Sequence, residues 1–151
     1  MKNLFEASTA SEIQDRIARL HPESPRAWGT MTPAQALAHC SAGLEWAVGD
    51  RCPPRAPLAL RILGRLVKPL ALGNDKPLRR NAPTTTDLVI RDERDLTTEK
   101  QRLAALVDRF VAGGAAHCTQ SPHSFFGPLT PEQWATLTYK HLDHHLRQFG
   151  T

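Results

Sequence analysis

Apolar side chains recur at helical spacing in four long stretches of this chain. In the first, Ile13, Ile17 and Leu20 fall on one side and Glu12, Asp15, Arg16 and Arg19 on the other. That pattern predicts a helix from about Thr9 or Ser11 to Leu20, ended by Pro22 and Pro25. The second stretch has a sharper start: Thr32 can cap, Pro33 suits the first helical position, and Gln35 completes a capping box. It predicts a helix to about Val48, with so wide an apolar arc (Leu37, Cys40, Leu44 and Ala47 beside Ala36, His39, Gly43 and Trp46) that most of its sides are expected to be buried. A third helix is predicted over residues 97–112 from the stripe Leu103, Leu106, Val107, Phe110 and Val111, ending at Gly113-Gly114. The fourth repeats the start signal as Thr130-Pro131-Glu132-Gln133 and is predicted to run to about Phe149, with Trp134, Leu137, Thr138, His141, His145 and Gln148 on one side.

Between the second and third of these lies a different kind of segment. Six of the twelve prolines fall within residues 51–86. Residues 57–68 are expected to form a short helix with Leu58, Ile62, Leu63 and Leu66 inward and Arg61, Arg65 and Lys68 outward. Residues 84–90 read as β-prone. Four long helices with one long connection predict an all-α fold, a four-helix bundle. Residues 1–151 form a single domain on this reading, with a proline-rich basic insert at about residues 51–96.

Charge sets the insert apart further. Residues 51–86 hold eight basic side chains against one acid, a balance of +7; the remaining eleven bases and fourteen acids give −3. Such an insert raises the question of nucleic acid or an anionic surface, but groove-binding motifs and aromatic–basic interleaving are absent, so a solvated face is the expectation and nucleic acid is not the favoured partner. No apolar run approaches a membrane span, and residues 1–6 lack the apolar core of a signal peptide, which predicts a cytoplasmic protein without a membrane partner. Three cysteines (Cys40, Cys52, Cys118), odd in number and without paired spacing, predict free thiols, with Cys40 buried and inert.

The residues that promise chemistry are histidines. His141 and His145 are four apart, so on a helix their rings leave one face a turn apart, in the middle of the core-facing stripe. Two buried imidazoles without partners would cost roughly 1–3 kcal/mol each. A divalent ion satisfies both, and this spacing is how a helix offers two ligands to one metal. His39 is the third candidate ligand, because Ala36 and Gly43, one turn away on either side, leave room beside it. Gln148 is directed to serve as a hydrogen-bond partner for a ligand N–H; Asp143 points elsewhere and is expected to be solvated. His144 lies about 100° around the helix from His145 and is expected to bond a neighbouring helix or to lie on the surface. Glu99 projects along the apolar stripe of its helix as a candidate general base or a partner of the helix N-terminus. His123 precedes the Phe125-Phe126-Gly127 turn and is placed to roof a pocket, a second catalytic candidate.

Three segments, residues 28–40, 124–134 and 141–149, carry a resemblance. The first has Trp28-Gly29, Thr32-Pro33-Ala34-Gln35 and His39; the second has Phe125-Phe126-Gly127 and Thr130-Pro131-Glu132-Gln133-Trp134; the third has His141, His144, His145 and Gln148. Together they resemble the DinB-like superfamily, and within it a branch of uncharacterised bacterial domains. The resemblance implies a four-helix bundle with a divalent metal, typically nickel or zinc, on three histidines, roles that map onto His39, His141 and His145. Relatives include thiol-dependent transferases and an isomerase using a low-molecular-weight thiol. The basic insert departs from the compact superfamily core.

Three neutral imidazoles and one open position describe a catalytic site rather than a structural one. The expected function is a metal-dependent enzyme acting on a small-molecule substrate, activating a thiol (transferase or isomerase) or water (hydrolase). The alternatives are a non-catalytic metal-binding or stress-related bundle and, behind it, nucleic-acid binding through the insert. A homodimer is expected, because bundles pair readily through exposed apolar helix faces.

Overall fold

The two matched start signals fold as written. Thr32 and Thr130 each accept a hydrogen bond from the backbone N–H three residues on (Gln35 and Gln133, both 3.2 Å), and each glutamine side chain accepts in return from the threonine N–H. With proline in the first turn, both helices begin at a fixed residue. The computed structural model describes residues 2–151 and is all-helical, with no strand among them. In chain order the helices are α1 (Ala7–Arg19), α2 (Pro33–Ala47), α3 (Leu58–Leu72), α4 (Leu96–Gly113) and α5 (Pro131–Gln148), with single 3-10 turns at Thr86–Leu88 and Ala115–His117. No helix is long and apolar enough to cross a membrane.

Helix α2 packs against α4 and α5, and α1 packs against the same two from the other side. The wide apolar arc of α2 is buried as expected, with twelve of its fifteen residues inside. The core they enclose includes Ile13, Ile17, Leu37, Leu44, Leu103, Leu142 and Leu146, capped by Trp46, Trp134 and Phe149. Helix α1 starts at Ala7, two residues before Thr9, because Glu6 takes the extended cap position; Thr9 lies inside the helix and donates to the Glu6 carboxylate.

Three expectations are overturned. Residues 84–90 form no strand: the β-branched run folds into a 3-10 turn whose Leu88 is buried beside α2. Asp143 is not solvated. It is buried between α5 and α1, where its carboxylate accepts from Arg16 at 2.8 Å and from Arg147 at 2.8 Å. Helix α3 is longer than expected, running through Pro69 to Leu72, and does not bury its apolar stripe. Leu58, Ile62, Leu63 and Leu66 point outward, and Gly64 and Leu72 are its buried positions. The reason is steric and polar together. A Cβ at Gly64 would collide with the Phe125 carbonyl, so this side alone lets the helix lie against the 122–128 loop. Lys68 then donates to the Pro128 carbonyl at 3.0 Å, while Lys140 from α5 donates to the carbonyls of Ala71 (2.6 Å) and Asn74 (3.0 Å) at the helix end.

Candidate metal centre

Helices α2 and α5 face each other, and the side chains they turn inward meet at three imidazoles. His39, His141 and His145 each offer a ring nitrogen, and these atoms lie within 4.8 Å of one another. The ring centroids are 4.8–5.0 Å apart and the planes cross at 73–76°, so the rings meet edge to face around a common point. Nε2 of His39 and Nε2 of His141 stand 2.8 Å apart. His39 and His145 are buried, whereas His141 keeps part of its surface accessible.

Hydrogen bonds fix which nitrogen of two rings is free. Nδ1 of His39 is 2.7 Å from the Leu88 carbonyl oxygen, which can only accept, so Nδ1 carries the proton and Nε2 presents a lone pair. Nδ1 of His145 is 2.8 Å from Oε1 of Gln148, and the amide orientation is set because Gln148 Nε2 donates to the Trp28 carbonyl at 2.6 Å. His145 therefore donates from Nδ1 as well and turns Nε2 to the centre. Gly29 makes this possible: its φ is +74°, and a Cβ there would come within 2.7 Å of Gln148 Nε2. The Trp28-Gly29 turn thus orients Gln148, and Gln148 orients His145.

The rings are electrically neutral at ordinary pH. Burial lowers the pKa of His39 below its usual value, opposed by the Leu88 hydrogen bond. It takes His145 down to about 3, with the neighbouring His39 adding to the effect and Gln148 opposing it. His141 falls well below the usual imidazole value, first through burial and then through the other histidines. Neutral imidazole is the form that binds metal, so no proton has to leave a ligand at neutral pH.

The family model described as protein of unknown function (DUF1569) matches residues 4–151. The chain belongs to the DUF1569 family. No curated protein matches it, and no solved structure does.

The remaining candidates of this DUF1569 chain divide. Gly43 serves the site differently from the expectation: the space beside it is taken by the His141 ring, on which a Cβ there would press at 3.2 Å. Glu99 is buried, but its carboxylate is held between Arg94 (3.2 Å) and Arg102 (3.4 Å) and does not join the histidine group. His123 packs on Trp46, Phe126 and Trp134, with ring centroids 5.1–5.9 Å away. Its Nδ1 accepts from the N–H groups of Phe125 (3.1 Å) and Phe126 (3.2 Å), which leaves Nε2 as the protonated nitrogen of the neutral ring. His144 is tied down rather than free: Trp28 Nε1 donates to its Nε2 at 3.3 Å. Cys40 is buried, and burial drives its thiol pKa strongly upward, in keeping with an inert core residue. The Leu88 carbonyl had no signal in the sequence, because a backbone acceptor is the same in every residue type.

Proposed function

We propose that this protein is a metal-dependent enzyme of the DinB-like type, in which His39, His141 and His145 hold one divalent ion, nickel or zinc, in a four-helix bundle formed by α1, α2, α4 and α5. The observation that carries the reading is the pair of fixed tautomers: two Nε2 lone pairs are aimed at one point by Leu88 and Gln148, and the third ring closes on the same point. Carbonyl and amide partners on the far nitrogen are what histidine ligands use to hold their orientation. The donor set fits a borderline-soft divalent ion. The group has three members among the described residues, one short of a closed tetrahedral site.

A divalent ion at this point supplies Lewis acidity, lowering the pKa of a thiol or water in the remaining position or polarising a carbonyl. The chain's own residues do the rest. Gly43 lets the His141 ring lie close against α2, and the accessible edge of His141 is the side from which a substrate would approach. A low-molecular-weight thiol is the co-substrate favoured by the resemblance; a hydrolase using water is the alternative on the same ligands.

Metal analysis of tag-free protein tests the reading. Wild type is expected to retain about one equivalent of a divalent ion and His39→Ala to lose it. Gln148→Leu, which frees His145 without removing a ligand, is expected to weaken binding about 10–100-fold. Unchanged metal content in His39→Ala would rule the centre out.

A further inference from the structure

The seating of α3 on Gly64 creates a second polar site. Because Gly64 lies against Phe125 and Lys68 reaches Pro128, the basic edge of the helix faces the 122–128 loop. Between them is a cavity of about 140 Å3 whose wall includes Arg55, Arg61, Arg65, His123, Ser124 and Gly127. No carboxylate contributes to that wall. Six of the fourteen arginines have an acidic partner among the described residues; Arg55, Arg61 and Arg65 are among the eight that have none, and these three line one cavity. The hydroxyl of Ser124 is buried and has no hydrogen-bond partner.

Three like charges gathered around one small space repel one another, and no group in the wall offsets them. Guanidinium forks match the paired oxygens of carboxylates and phosphates, so the complement of this wall is a small oxyanion. The cavity has room for such a group, since a water molecule takes about 30 Å3 of liquid volume. It also lies beside the histidine centre without belonging to it: His123 is at once part of the wall and a neighbour of Trp46 and Trp134, which stand seven residues from His39 and His141 on the same helix faces.

We propose that the cavity between α3 and the 122–128 loop is a binding site for an anionic group, the carboxylate or phosphate of a small metabolite, held by Arg55, Arg61 and Arg65. The site does not depend on the metal reading.

Calorimetric titration of the metal-free full-length protein with inorganic phosphate, and separately with acetate, is the test. Saturable one-to-one binding of either ion is expected, and the ion that binds tells phosphate from carboxylate. The Arg61→Ala/Arg65→Ala double variant should weaken it at least tenfold. Arg55→Ala, which lies outside the helix and leaves its packing intact, should weaken it several-fold. Arg79→Ala, in the same basic insert but outside the wall, should leave it within twofold. Metal content of the double variant should match wild type, so that failure of this site and failure of the histidine centre are told apart. Absence of saturable binding would overturn the proposal, as would equal weakening by Arg79→Ala, or binding of a single-stranded oligonucleotide without binding of either small ion.

Discussion

Helices α5 and α3 carry the same kind of pattern and use it in opposite ways. In α5 the apolar positions turn inward: Leu142 and Leu146 are each 1% exposed, and the adjoining side, about 100° around the helix, delivers His141, His145 and Gln148. In α3 the stripe turns outward, with Leu66 74% and Leu70 70% exposed, while the basic edge lies beside a loop, with Arg61 and Lys68 half-buried and Arg65 exposed. Periodicity establishes that a helix has two unlike faces. Which of them meets the protein is decided by what the neighbours can accept. For α5 the neighbours are apolar side chains of α1 and α2. For α3 they are backbone carbonyls of the 122–128 loop, which accept a lysine and require a glycine.

The contrast has a direct energetic consequence, and the largest expected effect tests it. Leu142→Ala should destabilise the protein by about 2–5 kcal/mol, because a fully buried leucine leaves a cavity. Leu66→Ala, the same change on the outward face of α3, should stay within about 0.5 kcal/mol. Chemical denaturation of the two variants measures both. Comparable losses would mean that the outer face of α3 is covered in solution, and the comparison between the helices would break.

How much of this was legible beforehand follows the same division. Helices α2 and α5 were readable to within a residue because capping boxes, prolines and stripes agreed, with Thr32 and Thr130 capping as their sequences say, whereas α1, without a capping box, starts two to four residues before the expected position. The three histidines were readable because four-residue spacing on one helix face is a geometric fact, and because small residues flank His39. What was not readable depended on groups distant in the chain. Asp143 looked like a solvated charge until Arg16, 127 positions away, reached it from α1. Residues 84–90 have strand-forming side chains but no strand to pair with, and they serve the centre through the Leu88 carbonyl. The outward face of α3 carries no mark in the sequence, because its periodicity is that of a core helix and the carbonyls that receive the other side lie about 60 residues away.

His123 joins the two regions, and acid sharpens the comparison there. Burial pushes its pKa down to about 4, below the usual value of about 6.5. The unfolded chain takes up the proton as pH falls below about 6.5, and the folded chain only near pH 4. Stability from this group is therefore fully present above pH 6.5 and is lost progressively down to pH 4, by about 3 kcal/mol. His145, whose pKa is pushed to about 3, adds a loss of the same sign. His123→Asn keeps an acceptor for the Phe125 and Phe126 N–H groups but does not titrate. In metal-free protein, the variant should lose about 3 kcal/mol less than wild type between pH 6.5 and pH 4. Parallel stability profiles would remove His123 as the acid-sensitive joint between core and insert.

The smallest effect separates the helices at their first residues. Helix α5 begins on a capping box, whereas α3 begins at Pro57, whose ring presets the backbone and whose side chain makes no capping hydrogen bond. Thr130→Ala removes the acceptor for the Gln133 N–H and should cost about 1 kcal/mol; Thr130→Ser, which restores an oxygen, should recover most of it. Pro57→Ala has no such bond to lose and should cost a few tenths of a kcal/mol through the freer unfolded chain. Because Thr130 lies three turns from His141, its loss should leave metal content unchanged. Equal costs at the two starts would mean that the box contributes nothing beyond the proline beside it. The core helices would then owe their sharp beginnings to backbone restriction, as α3 does, and not to hydrogen bonding.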